Sequence, residues 1–297
     1  MQARLRRILH PHRIGRYRER LAQLDGGRVR WTARAAAGYG AEWARERLEM
    51  VEERRLLSVA RGDHDVCWAA DDEPEPLVTV LIPTYDRGPL IAERAIASAL
   101  EQTYERLEIL VVGDRCSEST AAAVRSVTDP RVRFVDLGAR GVYPAEAKDR
   151  WMVAGSAPIN AGHSLSRGAW IAPCDDDDEL TPDHVDVLLH AARSQRVELV
   201  HSLARMEVAP GVWEVVGGDE LRHGSVSHGT VLYAAPLRVF RFSNTSWKLF
   251  EPTDWNLWRR MQAIGVRIGH LPQVTYVHYV EAWQREPATS ERAPRQP

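Results

Sequence analysis

Four consecutive aspartates, Asp175 to Asp178, stand just after the apolar run Ala169–Ala172. A short, near-continuous apolar run is the pattern of a strand covered on both faces. The chain therefore passes from a buried sheet almost directly into four carboxylates, which repel one another unless a cation or solvent compensates. The same plan recurs upstream. Leu77–Ile82 precedes Pro83-Thr84-Tyr85-Asp86-Arg87, and Leu107–Val112 precedes Gly113-Asp114-Arg115. Three strand ends thus send carboxylates toward one rim.

Helical segments separate these runs. Pro89–Gln102 follows Gly88 with proline at a permitted first position, and Thr181-Pro182-Asp183 opens another helix with a cap and an early acid. Val132–Val135 reads as a further short strand. Strand and helix in this rhythm predict an α/β fold with a mostly parallel central sheet flanked by helices. Ligands of such sheets bind at the carboxyl ends of the strands. The sequence carries no P-loop, GxGxxG, HExxH or GxSxG, so those chemistries lack their usual signatures.

The 297 residues suffice for two domains, or for one large α/β domain with additions. Lys and Arg number 39 against 41 Asp and Glu, a net charge of -2 that gives no global field for nucleic acid. No run approaches the roughly 18 to 20 apolar residues of a membrane span, and the basic N-terminus lacks the apolar core of a signal peptide. Cys67, Cys116 and Cys174 form no CxxC pair. These features predict a cytoplasmic protein. Residues 1–20 hold seven arginines against Glu19. Two readings of this arm stand: contact with the inner face of a membrane or with an anionic acceptor, or a solvated arm, packed in one version on the second subunit of a homodimer. Pro11 and Gly15 weaken the first by breaking any long amphipathic helix. A helical pattern from about Trp31 to Leu57 has Tyr39, Trp43, Leu48 and Val51 as its apolar positions. The proline-bearing acidic stretch Asp71–Pro76 reads as a linker. The expected plan is a basic, helical extension over 1–72, a main domain over 77–283 and a flexible tail over 284–297.

The acidic run admits a solvated loop or a metal site; with a strand before it and a capped helix after it, Mn²⁺ or Mg²⁺ is favoured. Four segments carry a wider resemblance: VTVLIPTYDR (78–87), LEILVVGDRCSEST (107–120), NAGHSLSRGAWIAPCDDDDELTPDH (160–184) and TDWNLWRRMQAIGVRIGHL (253–271). In order and spacing they resemble family 2 glycosyltransferases of GT-A fold. The resemblance implies an inverting, metal-dependent transfer of sugar from a UDP-, GDP- or dTDP-linked donor to an unidentified acceptor hydroxyl. It assigns Pro83, Thr84, Asp86 and Asp114 to the base and ribose, with Asp175 or Asp176 on ribose or metal-bound water. Asp177 becomes the metal ligand, with His278 as a candidate to complete the coordination. Asp254 becomes the catalytic base, and Arg260 a candidate to face the diphosphate or orient that base.

Each assignment has a plainer reading: an Asx turn at Asp114, a helix cap at Asp254, a core histidine at His278 and a solvated helix face at Arg260. The sequence departs from the family at Gly113, where many members have a first aspartate, at Thr253, where Glu often precedes the base, and at Ile159, where Arg is common. Arg150 and Lys148 are candidates for the missing arginine's role, in a long loop (138–159) expected at the active site. Trp213, Trp247 and Trp258 are candidates to stack on sugar. A nucleotidyltransferase of related fold and a non-catalytic nucleotide-sugar-binding protein are the alternative functions.

Overall fold

The computed structural model describes residues 33–62 and 73–280. The arginine-rich stretch 1–20, the tail 284–297 and the start of the acidic linker lie outside the described residues. The chain divides at Arg45/Glu46 into two compact units. In the first, the described residues belong to helix α1 (Ala33–Arg61), where Arg45 pairs with Glu42 one turn earlier.

The second unit carries a nine-stranded sheet among the described residues. Strands β1 (Val78–Thr84), β2 (Leu107–Gly113), β3 (Val132–Asp136) and β4 (Trp170–Pro173) pair in parallel in the order β3-β2-β1-β4. Every residue of β1, β2 and β4 is buried, as their unbroken apolar runs require. Alternation along β1 feeds two cores: Val78, Val80 and Ile82 face one, and Leu81 the other. The α/β expectation holds, with four of the eight strand pairings among the described residues parallel. Beyond β4 the sheet is mixed. It contains β5 (Glu179–Leu180), β6 (Leu199–Ala209), β7 (Val212–Val216), β8 (Val231–Ala234) and β9 (Ile268–His278). β8 runs antiparallel to both β4 and β6, β6 parallel to β9, and β9 antiparallel to β5. This last pairing carries the end of β9 back beside the acidic run.

The helix expected after β1 contains a π-helical turn, Ala92–Ile96, that continues as α2 (Ala97–Leu100). Such turns are frequent at functional sites, and here Arg94 Nη1 donates to the Asp177 carbonyl at 2.5 Å. Helices α3 (Glu118–Arg125), α4 (Ala147–Val153), α5 (Ser156–Leu165) and α6 (His184–Ser194) follow, then α7 (Thr253–Ile264).

The helical pattern near the N-terminus is confirmed, but its buried face is not the apolar one. Leu48 and Val51 are 74% and 69% exposed, whereas Glu46, Met50, Glu53 and Leu57 are buried. Their 4-3-4 spacing places them on one helix face, and that face is seated by ion pairs as much as by apolar contact. No described helix is long and apolar enough to cross a membrane.

Candidate active site

A cavity of about 760 Å³ opens at the carboxyl ends of β1, β2 and β4. Pro83, Thr84, Asp86, Asp114, Asp175, Asp176, Asp177, Asp254 and His278 all line it. Residues 195 positions apart in sequence, from Pro83 to His278, thereby share one chamber. Arg260 does not join them. Its side chain is 2% exposed and turned into the protein, with Nε on Asn256 Oδ1 at 3.1 Å and Nη2 on the Arg241 carbonyl at 2.5 Å. Six positions after Asp254, it points where the helix turn sends it, and its salt bridge to Glu53 fixes it there.

Each aspartate of the acidic run has a different environment. Arg87 spans two of them, Nε to Asp176 Oδ1 at 2.7 Å and Nη2 to Asp177 Oδ2 at 2.6 Å. Burial, joined by the charges of Asp178, Asp176 and Asp175, nevertheless pushes Asp177 up to about 8. Burial would also raise Asp175, but the charge and 2.8 Å hydrogen bond of His228 hold it below the usual carboxylate range. Asp178 is fully buried and accepts from Tyr276 Oη at 2.6 Å and from the Tyr279 amide at 3.0 Å. His278 Nδ1 lies 2.7 Å from the same carboxylate. Burial opposes an imidazolium at His278, yet this hydrogen bond and the surrounding acids raise it to about 9.

These residues fit a divalent ion of the kind the fold family uses. Among the described residues no three His, Cys, Asp or Glu side chains converge as a ready cage. Mg²⁺ and ions like it need only one or two protein ligands, the rest being water and phosphate oxygens. Asp177 is a buried carboxylate on which burial and the neighbouring acids outweigh the pull of Arg87. His278 keeps Nε2 for a ligand while Asp178 orients the ring through Nδ1, a common support for ligating histidines.

Asp254 lies in the first turn of α7, and its Oδ1 accepts the Trp255 amide at 2.7 Å. Burial raises its pKa above the usual carboxylate range, against a lowering influence from His228. Thr253, where the family often has Glu, donates to the Ser243 carbonyl at 2.9 Å and ties down the start of the helix.

His228 was not among the residues singled out from the sequence. It is 6% exposed, lines the cavity and sits in the 3₁₀ turn His228–Thr230. Burial opposes its protonation, but Asp175, Asp254 and Asp178 raise its pKa. The only local signal is Gly229. A Cβ there would come within 2.0 Å of the Tyr276 ring, so only glycine lets this turn lie on β9.

At the other end of the chamber, Asp114 Oδ1 accepts the Gly141 amide at 2.7 Å and Oδ2 accepts from Tyr143 Oη at 2.6 Å. The stretch 138–159, expected as one long loop, is helical over Ala147–Val153 and from Ser156, and the Asp114 carboxylate clasps its non-helical first part. Arg140 stacks 3.6 Å over the Tyr85 ring, at the same rim. Asp86 accepts from Ser117 Oγ at 2.6 Å. Gly113 also has a cause. A Cβ on it would stand 2.3 Å from Asp136 Oδ1 and 2.6 Å from Cys116 Sγ, because β3 projects its own aspartate into the space. Arg150 lines the cavity; Lys148 does not. Of the tryptophans, Trp258 is buried in the core and Trp213 packs on Tyr279, whereas Trp151 and Trp255 line the chamber.

Residues 79–206 match the model for glycosyl transferase family 2. The succinoglycan biosynthesis protein ExoO of Rhizobium meliloti (strain 1021) is 37% identical over 117 residues, which are 39% of this chain and 30% of that protein. A chondroitin synthase of Pasteurella multocida (strain Pm70) is 24% identical over 212 residues, 68% of this chain and 20% of that protein. The matches therefore span less than a third of these two relatives. Among solved structures, S. aureus TarS 1-349 superposes with a TM-score of 0.53 at 15% identity, covering 68% of this chain and 60% of that one. With the sheet order, the acidic rim and the matched segment in agreement, this chain has the GT-A fold, and its residues 79–206 are similar to the family 2 glycosyltransferases.

Proposed function

We propose that the chain transfers a sugar from a nucleoside diphosphate donor to an acceptor hydroxyl, with inversion at the anomeric carbon. The observation that carries this reading is the single chamber uniting Asp114, the acidic run and Asp254. Pro83, Thr84, Asp86 and Asp114 receive the base and ribose, the Asp114 carboxylate being suited to accept a ring N–H. Asp175 and Asp176 take the ribose side. Asp177 and His278 would hold Mn²⁺ or Mg²⁺, which supplies counter-charge to a diphosphate leaving group when bound. A solved structure of TarS 1-349 in complex with UDP-GlcNAc supports a nucleotide-sugar donor.

Asp254 removes the proton of the attacking hydroxyl. Its raised pKa brings the carboxylate closer to the strength a general base needs near neutrality, while the charge of His228 opposes that rise. One displacement suffices, with no covalent enzyme intermediate, so the product inverts. The test is a panel of UDP-, GDP- and dTDP-sugars assayed for nucleoside diphosphate release with and without Mn²⁺. Metal-dependent release from one nucleotide series is expected. Release of pyrophosphate would identify a nucleotidyltransferase instead, and donor binding without turnover would identify a binding protein.

A further inference from the structure

Helix α7, which carries Asp254, is gripped from behind by the second half of α1. Glu46 accepts from Asn256 Nδ2 at 2.7 Å and takes a two-oxygen contact from Arg259 Nη2 at 2.9 and 2.7 Å. One helical turn further, Arg260 forms its salt bridge with Glu53. Asn256 links the two clasps, since its Oδ1 receives Arg260 Nε at 3.1 Å. Glu46, Asn256, Glu53 and Arg260 are at most 7% exposed. Leu57 closes the seam in the same core as Leu257, Trp258 and Met261.

Buried ion pairs are a poor source of net stability, because desolvation offsets most of their attraction, while removing one partner strands a charge. Their geometric consequence is stronger. Apolar packing is non-directional, whereas charge-assisted hydrogen bonds at Asn256, Arg259 and Arg260, on successive turns, fix a helix in rotation and along its axis. The clasped residues lie two, five and six positions after Asp254 in one rigid helix. Turning that helix by a single residue rotates its first turn by about 100°, enough to take the Asp254 carboxylate off the chamber wall.

We propose that Glu46 and Glu53 are positioning residues for transfer: through Asn256, Arg259 and Arg260 they set the rotation of α7 and so the placement of Asp254. The inference rests on the reading of Asp254 as the general base. It makes the helix ahead of the GT-A sheet part of the catalytic apparatus rather than an appendage.

The test compares Glu46→Gln and Glu53→Gln with Asp254→Asn and the parent in the full chain. Gln keeps the size and one acceptor oxygen but not the charge. Nucleoside diphosphate release is measured with the donor selected by the panel, with water as acceptor, well below each melting temperature. Donor affinity with Mn²⁺ is read by calorimetry. Each Gln variant is expected to lose tenfold or more in kcat, as misplaced groups do, with donor Kd changed less than twofold. Amide hydrogen exchange in residues 253–258 is expected to quicken. A brace that only stabilises would lower the melting temperature and leave kcat at the parent value, and that result overturns the proposal. Should either Gln variant fail to fold, Glu46→Asp, which keeps the charge but draws the carboxylate back from Asn256 and Arg259, must give the same split. If Asp254→Asn is slow while both Gln variants run at the parent rate, the base stands and the brace alone is wrong. If Asp254→Asn runs at the parent rate, the reading of the base itself fails and the brace with it.

Discussion

Replacing Asp177 with Asn should make the metal-free protein more stable while damaging its function. Burial and three neighbouring acids lift Asp177 from 3.8 to about 8. At pH 7 the folded chain therefore holds a proton there that the unfolded chain releases, a linkage costing up to about 4 kcal/mol. Asn needs no proton and keeps an oxygen for Arg87, whose side chain is 30% exposed. The pull of Arg87 is already counted in that shift, so relaxation of the rim is what reduces the figure, leaving a net gain of roughly 1 to 3 kcal/mol. At about 2 to 4 °C per kcal/mol this is a rise of roughly 2 to 12 °C in Tm. The sign with pH is fixed. A carboxyl raised on folding favours the fold below its unfolded value of 3.8 and loses that contribution as pH climbs through about 8. The advantage of Asn should therefore be near zero at pH 4, grow toward pH 8 and then level off. Differential scanning calorimetry in EDTA across that range measures it, and added Mn²⁺ should raise the parent's Tm far more than the variant's. A variant that melts below the parent at pH 8, or a gap independent of pH, would refute the electrostatic account of the rim.

Three further outcomes are expected. Gly113→Ala should cost about 1 to 3 kcal/mol by overpacking against Asp136 Oδ1; urea unfolding should show most of it recovered when Asp136→Ala is added, and no recovery would remove Asp136 as the cause. Mn²⁺ binding should release protons and tighten from pH 6 to 9, because His278, raised to about 9, and Asp177 must deprotonate to serve as ligands; calorimetry in buffers of different ionisation enthalpy reads this, and pH-independent affinity would rule the pair out. His228→Gln should move the acidic limb of the kcat profile to higher pH, since His228 lowers the pKa of Asp254; an unmoved limb would show that His228 acts only on Asp175.

The parallel half of the sheet was legible in the sequence because strands buried on both faces must be apolar throughout, and β1, β2 and β4 are. Loops after such strands have one place to go, so the rim could be read from Asp86, Asp114 and the acidic run. Asp254 was legible as the acid opening a periodic helix. The mixed half was less so: β6 is buried over its first four residues and irregular after them, where its register shifts, and β7 is largely exposed. Helix α1 misled in a specific way. Apolar periodicity marks a buried face only when burial is apolar, and here Glu46 and Glu53 are paid for by arginines about 200 residues away. Arg260 was misplaced as a phosphate contact, though not as a residue that could orient the base, since no sequence pattern distinguishes an arginine aimed at a phosphate from one aimed at a buried glutamate. His228 lacked any periodic context, and its role appears only when the turn around Gly229 is laid against Tyr276.

The central claim, that one chamber divides its work between a metal-binding acid and a general base, is tested most directly by the donor affinity and turnover of Asp177→Asn and Asp254→Asn side by side. Asp177→Asn should lose Mn²⁺-dependent donor affinity along with turnover, because that affinity runs through the diphosphate. Asp254→Asn should bind donor and Mn²⁺ as the parent does while turning over roughly a hundredfold or more slower, the loss expected when a general base is removed. Turnover of Asp254→Asn at the parent rate would contradict the account, leaving Asp254 a helix cap and placing the base elsewhere.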